Sequence, residues 1–149
     1  MPTSGSFLVD TNILVYAYDF SNTLRQKRAF GILDWLEFDH VGCLSTQILG
    51  EFFNIATRKL RKPLTTEVAI EAVEGFLLSW RTLIVTRPIV LEAGLGCGRH
   101  QLSYWDAQIW ATAKLNQIPT VLSEDFTHGQ RIEGVAFLNP FISKIPGEE

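Results

Sequence analysis

Four acidic residues stand where a carboxylate asks for an explanation. Asp10 closes the apolar run Phe7-Leu8-Val9 and precedes Thr11-Asn12, and Asp125 follows Thr120-Val121-Leu122 within Ser123-Glu124-Asp125. Glu51 interrupts Ile48-Leu49-Gly50-Glu51-Phe52-Phe53-Asn54, and Asp106 lies in Ser103-Tyr104-Trp105-Asp106-Ala107. If they converge, with no accompanying set of cysteines or histidines, they make an oxygen-only site suited to a hard cation such as Mg²⁺ or Mn²⁺. Carboxylates held close together raise one another's pKa, and a bound divalent ion is the natural compensation. The chemistry open to such a site is metal-assisted phosphoryl transfer, in which cations polarise a phosphate and activate water for in-line attack.

Each acid also has a plain structural reading. Asp10 suits the N-cap of the segment that follows it. Glu51, on a helix turning about 100° per residue, lies roughly 40 to 60° from the direction of Ile48, Phe52 and Ile55, an edge position that is ordinarily solvated. Ser103 and Asp106 have the spacing of a capping box. What lifts the acids above these readings is a shared rim: Asp10 and Asp125 both end strands, and the carboxyl ends of parallel strands lie on one side, where ligands collect.

The elements that would position them are legible as alternation. Phe7-Leu8-Val9, Val41 to Leu44, Leu83-Ile84-Val85, Thr120-Val121-Leu122 and Val135-Ala136-Phe137-Leu138 are short continuous apolar runs, as expected of strands covered on both faces. Residues 22–37, 46–60, 66–79 and 103–116 carry apolar residues at helical spacing. Strands alternating with helices predict an α/β fold with a parallel sheet. Arg61-Lys62-Pro63, Arg87-Pro88 and Gly94 to Gly98 read as turns, the last as the end of a helix.

With 149 residues, 46% of them hydrophobic, the chain is expected to form one domain over 1–149, with about 1–5 and 145–149 frayed. No apolar run approaches the roughly 18 to 20 residues of a membrane span, and no leader pattern is visible, so the chain reads as soluble and cytoplasmic. Two cysteines, Cys43 and Cys97, are too few for a disulfide framework or a four-ligand zinc site. The net charge of −3 is mild, but Arg25, Lys27 and Arg28 cluster, as do Arg58, Lys59, Arg61 and Lys62. A local positive field is compatible with an anionic partner.

The ordered set Leu8-Val9-Asp10-Thr11-Asn12, Glu51-Phe52-Phe53-Asn54, Tyr104-Trp105-Asp106-Ala107 and Ser123-Glu124-Asp125-Phe126-Thr127-His128-Gly129 resembles the PIN domain, specifically the VapC-type toxin ribonucleases of type II toxin–antitoxin systems. The resemblance spans nearly the whole chain. It implies a five-stranded parallel sheet of order 3-2-1-4-5 flanked by helices, and a Mg²⁺- or Mn²⁺-dependent endoribonuclease that leaves a 5′-phosphate and a 3′-hydroxyl. Asp10, Glu51, Asp106 and Asp125 fall on the family's acidic, metal-binding positions, with Asp10 and Asp106 as direct ligands and Asp125 open to acting through water. Asn12 and Ser123 fall on supporting positions; Glu124 is given no catalytic role. The stretch from Arg61 to Trp80 corresponds to a helical pair that helps form the antitoxin groove and the dimer surface. An RNA substrate, a cognate antitoxin and a homodimer are the implied partners, and Arg25, Lys27, Arg28, Arg58 and Lys59 are candidate phosphate contacts.

Other chemistries fit less well. An aspartyl-phosphate phosphatase would carry a second Asp where Asn12 stands. A dinucleotide fingerprint beginning at Gly94 would need glycine where Arg99 stands, and a strand before it. His128 suits a local backbone hydrogen bond, and no strand-turn-helix elbow presents a serine or cysteine nucleophile. The main alternative is a catalytically silent module of the same fold that binds RNA or protein, against which the presence of all four acids argues.

Overall fold

Phe7, Leu8 and Val9 have almost no solvent contact because β1 (Phe7–Val9) is the middle of the sheet. It pairs in parallel with β2 (Gly42–Ser45) on one side and β4 (Thr120–Leu122) on the other. Outside β2 lies β3 (Arg81–Leu83), and outside β4 lies β6 (Val135–Leu138), both parallel to their neighbours. The computed structural model describes residues 5–148. The expected order is present, with one addition: β5 (Arg131–Ile132) pairs antiparallel to β6 and extends the sheet to β3-β2-β1-β4-β6-β5. The tight return into β6 is made at Glu133 and Gly134, both with positive φ.

Helices fill the connections: α1 (Thr11–Ala17), α2 (Thr23–Phe38), α3 (Thr46–Arg58), α4 (Thr66–Ser79), α5 (Arg87–His100) and α6 (Tyr104–Leu115). Their starts follow side-chain chemistry. Asn22, Ser45, Thr65 and Ser103 each accept a backbone N–H from the first turn of the helix they precede. The core between helices and sheet contains fully buried Phe52, Trp110 and Phe137. Among the described residues no helix is long and apolar enough to cross a membrane.

Three expectations are corrected. Gly94 to Gly98 end no helix; they lie inside α5, which closes at Gln101 in the left-handed region. The reason is packing: a Cβ on Gly96 would run into the Trp110 ring, so glycine is what lets α5 approach α6. The third strand is earlier than the apolar run Leu83-Ile84-Val85, because its register against β2 pairs Arg81, Thr82 and Leu83, leaving Ile84 exposed at the exit. Residues 61–80 supply one helix, α4, whose neighbour in the pair is α3.

At the chain's end, Ile145 is buried and Glu148 is bound by Arg28 and by the Ile145 backbone N–H, so residues 145–148 are docked against α2. Of the other positions expected to fray, Gly5 is exposed with a positive φ, and 1–4 and 149 lie outside the described residues.

Candidate active site

The chain runs outward from β1 to β3 and returns to β4, so the sheet changes winding direction between β1 and β4, and a crevice opens beyond their carboxyl ends. Asp10 and Ser123 are the first residues past those ends. The backbones stay in register there, with Asp10 N–H donating to Leu122 C=O at 2.9 Å and Ser123 N–H to Leu138 C=O at 2.9 Å.

Asp10 is both a helix cap and a cleft residue. Its Oδ1 accepts from the Thr11 backbone N–H at 2.7 Å at the start of α1. Its Oδ2 accepts from Ser123 Oγ at 2.7 Å and faces Asn12 Nδ2 at 3.4 Å. Asn12 Nδ2 also reaches Ser123 Oγ at 3.2 Å and Asp125 Oδ2 at 3.1 Å, while its Oδ1 accepts from Glu124 N–H at 3.4 Å. Ser123 Oγ accepts from Asp125 N–H at 3.0 Å. One amide and one hydroxyl thus join the ends of β1 and β4 and set the distance between two carboxylates.

Glu51 comes from α3, half-buried, its Oε1 accepting from Thr11 Oγ1 at 3.0 Å and Gln47 Nε2 at 3.3 Å. Asp106 comes from the first turn of α6, whose cap Ser103 accepts its backbone N–H at 3.4 Å. Both the capping and the cleft-facing readings of this residue hold at once. All four acids line one cleft of about 390 Å³, together with Thr11, Asn12, Tyr16, Gln47, Lys59, Trp105 and Glu124.

The electrostatics show the strain of gathering them. Burial pushes the Asp10 carboxyl up to about 7, against the hydrogen bonds from Ser123 and Thr11, with the charges of Asp125 and Glu51 adding to the rise. Asp106 is also raised, chiefly by burial, with Asp125 contributing and the Ser103 hydrogen bond opposing. The donor chemistry therefore fits a hard divalent cation, whose charge would relieve both effects. Among the described residues, however, no three acidic, histidine or cysteine side chains stand close enough together to form a ready-made ion cage.

The basic candidates separate. Lys59 lines the cleft, and among the described residues its ammonium makes no hydrogen bond or ion pair. Arg25 stands at the rim, paired with Glu124 and lying over the rings of Tyr16 and Phe141. Arg28 is spent on the chain's end, donating to Pro140 C=O at 2.7 Å, Ser143 C=O at 3.1 Å and the Glu148 carboxylate. Lys27 and Arg58 are exposed and do not line the cleft. His128 makes the local bond expected of it, accepting the Asn139 N–H on Nδ1 at 2.9 Å.

Two polar residues of the site were missed in sequence. Gln47 donates to Glu51 and to Trp105 C=O at 3.2 Å, and accepts from Gln108 Nε2 at 2.9 Å, tying α3 to α6. Its spacing of four residues before Glu51 was the available signal. Thr11, the hydroxyl after Asp10, gave none, since its bond to Glu51 spans 40 positions.

Among curated protein sequences no relative matches. Solved structures do match. The toxin VapC20 of Mycobacterium tuberculosis, described as a sarcin-ricin loop cleaving toxin, superposes with a TM-score of 0.63 at 21% identity over 78% of this chain and 87% of that one. A toxin–antitoxin complex from Klebsiella pneumoniae gives 0.66 at 20% identity, covering 91% and 98%. The DNA-bound VapBC of Salmonella typhimurium gives 0.65 at 18%, again covering 91% and 98%. At these identities the likeness is one of fold. The family model of the PIN domain matches residues 7–130, the stretch that carries all four acids, and the chain belongs to the PIN-domain family.

Proposed function

We propose that this protein is a divalent-metal-dependent endoribonuclease, a toxin of the VapC kind that cleaves cellular RNA and is neutralised by a cognate antitoxin. The observation that carries the reading is the meeting of Asp10, Glu51, Asp106 and Asp125, from four separate elements, around one cleft at the sheet's switch point. Asp10 and Asp106 would hold Mg²⁺ or Mn²⁺, with Glu51 and Asp125 completing or orienting the set. When bound, the cation would neutralise the acids, polarise a phosphodiester and make water a better nucleophile.

The chain's own residues have definable parts. Ser123 and Asn12 hold the Asp10 carboxylate in one orientation, and the hydrogen bonds from Ser123 and the Thr11 backbone favour its charged form. Thr11 and Gln47 orient the Glu51 carboxylate through hydrogen bonds to its Oε1. Lys59, uncompensated within the cleft, is placed to bind a phosphate of the strand. The fold relatives crystallised as toxin–antitoxin complexes support an antitoxin partner, and a homodimer belongs to the same reading.

The test is cleavage of structured cellular RNAs, tRNA and ribosomal RNA, by purified protein free of antitoxin. Activity is expected with Mg²⁺ or Mn²⁺, and its loss with chelator or with Asp10→Ala or Asp106→Ala, the fold being checked by circular dichroism. A folded wild-type protein that binds these RNAs and cuts none of them would replace the nuclease with the binding module.

A further inference from the structure

Trp105 is 61% exposed, an unusual position for an indole beside a polar cleft. Among the described residues it is the only exposed large apolar side chain that lines the acid cleft; the others, Phe20, Phe30 and Leu91 among them, lie elsewhere. Its exposure is not looseness. Gln47 Nε2 holds its carbonyl at 3.2 Å, and the ring of Tyr104 stands edge-on to it, centroids 5.0 Å apart at 83°. Tyr104 is itself fixed by its hydroxyl donating to Gln108 Oε1 at 2.7 Å, and Gln108 is bonded to Gln47. A closed chain of contacts therefore holds an open aromatic surface, one residue before Asp106.

We infer that Trp105 is a stacking platform for one unpaired nucleobase of the RNA strand, next to the phosphate presented to the acids; this rests on the ribonuclease reading above. Three features on the same cleft name the ligand. The indole offers a π-face to a base, Lys59 offers a free cation to a phosphate, and Tyr16 and Asn12 add polar groups along the wall. Bases inside a duplex are already stacked, so the platform selects single strands or loops. Stacking is tolerant of base identity, so it contributes position and affinity rather than a sequence code.

The remaining tryptophans are covered, Trp80 and Trp110 in the core and Trp35 in part, so quenching of the exposed indole reports on Trp105. The experiment titrates the full-length protein with a short single-stranded RNA in EDTA, so that no cleavage interferes, following fluorescence and, separately, anisotropy of a labelled RNA. Quenching is expected with the single strand, and little with the same RNA annealed into a duplex or with an abasic strand of equal charge. Trp105→Leu should lose the quenching and bind roughly 5- to 150-fold more weakly, with Trp105→Phe in between. Unchanged affinity in Trp105→Leu would overturn the inference and leave the nuclease reading standing. Unchanged affinity together with altered oligomeric state would overturn it in favour of a subunit contact. If the wild type binds no RNA in any form in EDTA, the inference falls, and cleavage in Mg²⁺ or Mn²⁺ decides the nuclease reading separately.

Discussion

Asn12 Nδ2 stands 3.1 Å from Asp125 Oδ2 and 3.2 Å from Ser123 Oγ, so a residue after β1 fixes the geometry of the acid after β4. An amide can do this because it donates on one side and accepts from Glu124 N–H on the other. Replacing it by a carboxylate removes the donors and adds like charge beside Asp10 and Asp125. Asn12→Asp should therefore keep the fold and lower cleavage about 10- to 100-fold, with a higher Mg²⁺ requirement, measured as rate against metal concentration.

Ser123 is buried and serves three partners through one hydroxyl. Ser123→Ala leaves Asp10 Oδ2 without its strongest partner and frees the Asp125 backbone. Stability should fall by about 1 to 3 kcal/mol in chemical denaturation. Mn²⁺ affinity should drop about 10- to 100-fold, as read by calorimetry.

Burial raises the Asp10 carboxyl from 3.8 to about 7. Between those values the folded chain holds a proton that the unfolded chain has released. This group's contribution to stability thus falls as pH rises through that window and is level above it. Asp10→Asn keeps the neutral state at every pH. In EDTA the variant should melt close to the wild type near pH 4 and above it at pH 8, the difference corresponding to about 2 to 4 kcal/mol. Added Mg²⁺ should stabilise the wild type more than the variant. Equal melting temperatures in EDTA at pH 8 would show that Asp10 is not forced toward neutrality.

Two glycines of α5 should respond in opposite directions. A Cβ at Gly96 meets the Trp110 ring, whereas at Gly98 it meets nothing within 4 Å. Gly96→Ala should cost about 1 to 3 kcal/mol by forcing α5 from α6. Gly98→Ala should gain roughly 0.4 to 1 kcal/mol by restricting the unfolded chain. Thermal melts of the two variants check both signs at once.

Glu124 cancels the charge of Arg25 at the rim while accepting from Tyr16 OH at 2.8 Å. Glu124→Gln keeps the shape and frees the guanidinium for a phosphate. RNA binding in EDTA should tighten at low salt, and the slope of log affinity against log salt should steepen by about 0.7 to 1. An unchanged slope would mean that Arg25 never meets the strand.

The sequence was explicit about elements and their kinds. Five apolar runs and the spacing in four segments located the parallel sheet and most helices, because burial on a strand or a helix face has a period readable along the chain. It also offered Asp10, Glu51, Asp106 and Asp125 as candidates, each with a plain local reading of its own and singled out by their order along the chain and the resemblance that order carries.

What the chain order could not decide was everything set across space. Whether Gly94 to Gly98 break a helix depends on Trp110, which lies on another helix and whose ring stands where a side chain at Gly96 would go. Arg25, Arg28 and Lys59 look alike as letters, yet Glu124 and Glu148, 99 and 120 positions away, occupy the first two and leave Lys59 alone in the cleft. Local propensity acts over a turn or two of helix, whereas charge, close packing and shared hydrogen bonds act through space. For that reason the sequence by itself determined which residues could form the site. Only the tertiary structure decided which neighbours hold them, and that Asp10 is buried deeply enough to resist its own charge.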